Sequence, residues 1–146
     1  MIRKPDIENE TGVEDKTDTT IPKGTERVLV IDDEMIIVVT ASKMLEQLGY
    51  TVTAKTCSTN ALESFEMQPD NFDLIILDMN MPEIMGDKLA IKLKAIRPDI
   101  PIIMCTGFSK NLTDEKAKSI GICAVIKKPF GIHDLANIVR NVLDKS

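Results

Sequence analysis

Uninterrupted apolar runs punctuate the chain at 28–31, 74–77, 100–105 and 122–126, and a weaker segment at 50–54 alternates apolar with polar positions. Short β-branched runs of this kind suit strands buried on both faces, as in a parallel sheet. Between them the spacing turns helical. Ile37, Ala41, Met44, Leu45 and Leu48 share one face, as do Leu135, Ile138, Val139, Val142 and Leu143. Shorter helical stretches are expected over 61–67, 87–96 and 113–120, with stops at Leu48-Gly49, Arg97-Pro98 and Ile120-Gly121. Five strands alternating with five helices imply an open parallel sheet, helices on both faces and right-handed crossovers.

Residues 1–24 break this regularity. They hold six acids, four bases and the breakers Pro5, Gly12, Pro22 and Gly24. They read as a flexible tail or linker, leaving 25–146 as one domain.

Composition narrows the class further. A chain of 146 residues with 43% hydrophobic and 28% charged residues can build one core. No apolar run approaches the ~18 residues of a membrane span, and the N-terminus lacks an apolar signal region. A net charge of -5, no Trp and 3% aromatics argue against nucleic-acid binding. Three cysteines in a chain without a signal peptide read as reduced thiols, so a cytoplasmic location is expected.

In open α/β sheets ligands bind beyond the carboxyl ends of the strands. Asp32, Asp33 and Glu34 follow the first run, Asp78 and Asn80 the second, Thr106 and Gly107 the third, and Lys127, Lys128 and Pro129 the fourth. Taken singly, each has a plain structural reading as a helix cap, a turn or a solvated strand end. Together they bring three carboxylates, a hydroxyl and an ammonium to one rim. Three acids repel unless a cation neutralises them, and oxygen-only ligands favour Mg²⁺. A lysine beside such an ion suits a phosphoryl oxygen, and an aspartate nucleophile would give an acyl phosphate.

The segments VLVIDDE, DLIILDMNMPEIMG, IPIIMCTGF and VIKKPF stand in that order, with 46, 28 and 22 residues separating Asp32, Asp78, Thr106 and Lys128. In this the sequence resembles the receiver domain of two-component response regulators. The resemblance implies a flavodoxin-like (βα)5 sandwich with strand order 2-1-3-4-5. It implies Asp78 as phospho-acceptor, and Asp32, Asp33, Asp78 and the backbone carbonyl of Asn80 around Mg²⁺. Thr106 and Lys128 would hold the phosphoryl group, and Lys128–Pro129 would be cis. Lys128 is chosen over Lys127 because it directly precedes the proline. The implied donor is a histidine kinase or histidine phosphotransfer protein, and the implied output is altered contact with a downstream protein. Apart from self-phosphorylation and autodephosphorylation, no enzymatic turnover is expected.

One departure stands out. The family often carries an aromatic switch residue three positions before the lysine, and here that position is Val125. Activation is therefore expected to remodel the loop after Thr106 and the 113–120 helix without an aromatic swing. Gly107 would leave space near the phosphoryl group, and Phe108 would cover it. His133 reads as a surface helix residue, while Cys105 and Cys123 are expected on neighbouring strands. A Mg²⁺-dependent phosphohydrolase is disfavoured by Asn80, which stands where such enzymes want a second acid. A non-phosphorylated docking module is disfavoured by the complete set of acceptor-site residues. No output domain is expected within these residues, which leaves two readings, a stand-alone regulator and a receiver belonging to a hybrid kinase. A homodimer through the last two helices also stays open.

Overall fold

The computed structural model describes residues 21–107 and 113–145. The strands are β1 (Arg27–Ile31), β2 (Thr51–Lys55), β3 (Leu74–Asp78), β4 (Ile102–Thr106) and β5 (Ala124–Lys127). The helices are α1 (Met35–Gln47), α2 (Ser58–Met67), α3 (Gly86–Ile96), α4 (Asp114–Ile120) and α5 (Ile132–Lys145), with a 3₁₀ turn at Pro69–Asn71. All strands are parallel, in the order β2-β1-β3-β4-β5. This is the flavodoxin-like arrangement.

The apolar runs become the inner strands because both of their faces are covered. Along β1, Leu29 and Ile31 face a core shared with Phe65, Leu89 and Leu93 of α2 and α3. Val28 and Val30 face the opposite core, with Ala41 and Leu45 of α1 and Leu135 and Val139 of α5. Every residue of β3 and β4 is buried. Each fully buried aliphatic side chain contributes about 1.5–3 kcal/mol of transfer free energy. Phe65 and Phe72 stack at 6.2 Å between ring centroids, closing the core under the 3₁₀ turn.

Several boundaries differ from expectation. The edge strand β2 runs to Lys55 and is only partly buried. In α1 the inward positions are Val38, Ala41, Leu45 and Leu48, while Ile37 is half-buried. The first turn has apolar residues at consecutive positions, so helical spacing alone does not select which of them points inward. Cys123 precedes β5 and is exposed, whereas Cys105 is buried at the other end of β4. The register pairs Cys105 with Ile126, so the two thiols do not face each other.

The segment leading into β1 is fastened to the domain. Gly24 N–H donates to Leu48 O at 3.0 Å. Arg140 of α5 donates to Lys23 O, Glu26 and Tyr50. The Arg140 hydrogen bond holds the Glu26 carboxyl down at about 2, well below the ordinary range. Residues 1–20, most of the expected tail, lie outside the described residues.

Candidate phospho-acceptor site

Parallel strands carry their last residues to one rim, and the polar residues arrive there by register. Asp78 ends β3, opposite Cys105 of β4; Thr106 ends β4, opposite Lys127 of β5. Asp32 follows β1, and its N–H donates to Lys55 O at 3.2 Å, extending the ladder by one residue. Lys128 follows β5, and its N–H donates to Thr106 O at 2.8 Å.

Asp32 and Asp78 are each 3% exposed, an unusual depth for charged side chains, and Thr106 is 6% exposed. Lys128 neutralises part of that charge. Its Nζ lies 2.7 Å from Asp32 Oδ2 and 2.9 Å from Asp78 Oδ1, with exposed Glu34 at 3.8 Å. Asp32 also has a structural task, because its Oδ1 accepts the Glu34 N–H at 2.9 Å just before α1. Asp33 is exposed, and one oxygen from each of Asp32, Asp33 and Asp78 lies within 4.8 Å of the others.

The electrostatics follow from crowding. Burial pushes the Asp32 carboxyl up, only partly offset by the Lys128 hydrogen bond. Asp33 is pushed up by desolvation and by repulsion from Asp78. For Lys128, burial favours the neutral amine, but hydrogen bonds to Asp32 and Asp78 prevail and hold the ammonium firmly charged. Three carboxylates thus face one ammonium in a donor set made only of oxygen. That set fits a hard divalent cation such as Mg²⁺.

The remaining expected residues fall around this centre. Asn80 is exposed, two residues past Asp78, between Met79 and Met81, which are each 1% exposed. The Lys128–Pro129 peptide is cis. Lys127 is exposed, and Val125, on the same face of β5, is 37% exposed. Among the described residues, nothing lies within 4 Å of where a methyl group on Gly107 would sit, beside Thr106. Phe108 lies outside the described residues, and His133 is exposed in the first turn of α5.

Three features were not read from the sequence. Ser58, at the start of α2, is joined to Glu83 and Ile84 of the loop after β3. Asp87, 8% exposed, pairs with Lys116 of α4 at 2.9 Å. Met35 and Ile36, 63% and 74% exposed, begin α1 beside the rim. None of the three carried a local signal, since Met35 to Val39 are all apolar and spacing does not tell the exposed ones from the buried Val38.

A five-stranded parallel sheet whose carboxyl rim gathers buried acids, a threonine and a lysine defines the class of receiver modules. The sequence profile of the response regulator receiver domain family matches residues 28–140. The chain belongs to that family, which serves two-component signalling. It is 33% identical over 120 residues to the two-component response regulator ARR10 of Arabidopsis thaliana, covering 82% of this chain and 22% of that protein. It is 29% identical over 141 residues to the sensor kinase CckA of Brucella abortus, covering 97% of this chain and 15% of the kinase. Among solved structures, the receiver domain protein from Clostridium thermocellum superposes with a TM-score of 0.77 at 29% identity, covering 82% of this chain and 95% of that one. The chain therefore spans less than a quarter of the length of the two relatives named, and nearly the whole of this structural neighbour. Among the described residues no helix is long and apolar enough to cross a membrane.

Proposed function

We propose that this chain accepts a phosphoryl group on Asp78 from a phosphohistidine of a histidine kinase or phosphotransfer protein, and signals through altered protein contacts. The observation that carries the reading is the Asp78 carboxylate. It is buried at the end of the central strand, beside two further acids, with Lys128 Nζ on its Oδ1 at 2.9 Å. An Asp78 oxygen attacks phosphorus, the bond from phosphorus to the imidazole nitrogen breaks, and an acyl phosphate forms.

Asp32, Asp33, Asp78 and the Asn80 carbonyl would hold Mg²⁺, which supplies charge neutralisation for the phosphoryl oxygens. Lys128 holds Asp78 in place and offers a positive charge to a phosphoryl oxygen, and Thr106 offers a hydroxyl. Exposed Ile36, with Ile37, Pro129 and Phe130 around a small apolar pocket of about 120 Å³, provides a docking place for the phosphodonor protein beside the rim, next to exposed Met35. The setting for this chemistry is the cytoplasm.

With Val125 in place of an aromatic, the conformational response falls to α4. This helix has seven residues and a single buried one, Ala117, which suits a movable element. Intact-mass measurement with acetyl phosphate and Mg²⁺ tests the proposal. The wild type gains one phosphoryl group, while Asp78→Asn and the EDTA-treated chain do not. Equal gain by Asp78→Asn, or none by the wild type with either acetyl phosphate or a phosphorylated kinase, overturns it.

A further inference from the structure

Asp32, Asp78, Thr106 and Lys128 are placed by the strand ladder. Asn80 is placed instead by the loop joining β3 to α3, which is fastened from three sides. At its ends, Gly86 N–H donates to Met79 O at 2.8 Å. A Cβ on Gly86 would lie 2.5 Å from Asp78 O and 2.6 Å from Met79 Cα, so only glycine allows this closure. Underneath, Met79 and Met81 both enter the core on the α2–α3 side, and Asn80 between them is left outward.

The third fastening comes from the start of α2. Ser58, 0% exposed, donates from Oγ to Ile84 O at 3.1 Å. Its N–H donates to Glu83 Oε1 at 3.1 Å. The Cys57 thiol lies 3.0 and 3.2 Å from the two Glu83 oxygens, and Thr59 Oγ1 lies 3.0 Å from the same sulfur. Cys57 stands at the N-cap position of α2 but makes no side-chain cap of its own. Glu83 therefore supplies the missing acceptor from a loop 25 residues further along the chain. A carboxylate is favoured there because the first helical N–H groups lack partners and carry the positive end of the dipole.

We infer that Glu83 is a positioning residue of the acceptor site: its carboxylate, held by Ser58 N–H and the Cys57 thiol, fixes the loop that sets Asn80 beside Asp78. The inference rests on the proposed divalent-cation site. Glu83 acts through the backbone on either side of it, and its removal leaves Asp32, Asp33 and Asp78 unchanged. The affected quantity is the affinity of a site whose fourth protein ligand would be a backbone carbonyl on that loop.

Calorimetric titration of the intact chain with Mg²⁺ alone tests this, with wild type, Asp33→Asn, Glu83→Ala and Glu83→Gln compared. Glu83→Ala is expected to bind about tenfold more weakly, the low end for losing an outer support of a metal ligand. Its metal-free melting temperature should fall by only a few degrees, the cost of one lost helix-cap acceptor, with the chain still folded. Glu83→Gln keeps an oxygen for Ser58 N–H and should bind close to wild type. Wild-type affinity in Glu83→Ala overturns the inference, as does equal weakening in both Glu83 variants, which would leave only a charge effect. Wild-type binding that is absent, or undiminished in Asp33→Asn, overturns the cation site and the inference with it.

Discussion

Lys128→Met separates the two jobs assigned to the acceptor-site lysine. The side chains of Asp32 and Asp78 each keep 4% of their surface, and the Lys128 side chain keeps 14%. Methionine preserves most of the buried stem but removes the ammonium 2.7 and 2.9 Å from the two acids. Stranding buried charge in this way costs about 3–5 kcal/mol, and water reaching the site through exposed Asp33 places the expectation near 3. At a urea dependence of about 1.5 kcal/mol per molar, the unfolding midpoint in EDTA at pH 7 should fall by about 2 M. Mg²⁺ at a hundredfold excess over its dissociation constant adds about 2.7 kcal/mol and should restore most of the loss. It should also bind the variant more tightly than the wild type, because no ammonium competes for the carboxylates. The pH trend has a defined sign. Asp32 and Asp33 have folded values raised above their unfolded ones, so metal-free stability declines as pH rises through that raised interval. Loss of the lysine hydrogen bond raises Asp32 further and steepens the decline. An unchanged urea midpoint in EDTA, or equal stabilisation of variant and wild type at one common Mg²⁺ concentration, would refute the electrostatic account.

Glu26→Gln should lower stability at pH 7 by about 1.5 kcal/mol, the low end for a hydrogen bond to a charged group, since Glu26 keeps 29% of its side-chain surface. Because its folded value is depressed, that contribution is present above the ordinary 4.5 and lost as pH falls through about 2, so urea midpoints of variant and wild type should converge in acid. Asp87→Asn removes the partner of Lys116, which is 44% exposed. A partly screened pair is worth at most about 1 kcal/mol, so amide exchange in α4 should accelerate up to about fivefold while β3 and β4 stay unchanged.

Legibility in the sequence followed range. The inner strands were readable because burial on both faces demands continuous apolar residues, as in Leu74 to Leu77. The acceptor rim was readable because a parallel sheet sends every strand end the same way, so Asp32, Asp78, Thr106 and Lys128 needed only correct strand ends. The inward phase of α1 was not, since Met35 to Val39 are all apolar and the neighbouring elements decide which are covered. Glu83 on Ser58, Asp87 on Lys116 and Arg140 on Glu26 were invisible for another reason. Each joins polar residues from distant parts of the chain, and no local period marks such pairs.

The Arg140 cluster has a mechanical consequence. It grips Lys23 O, Glu26 and Tyr50 at the pole opposite Asp78. Whatever pulls or twists the lead-in before Lys23 meets this grip before it reaches the first strand. The load is shared between α5, through Arg140, and the end of α1, through the Gly24 N–H on Leu48 O. A pull on the residues before Lys23 is therefore met at the end of the sheet away from Asp78.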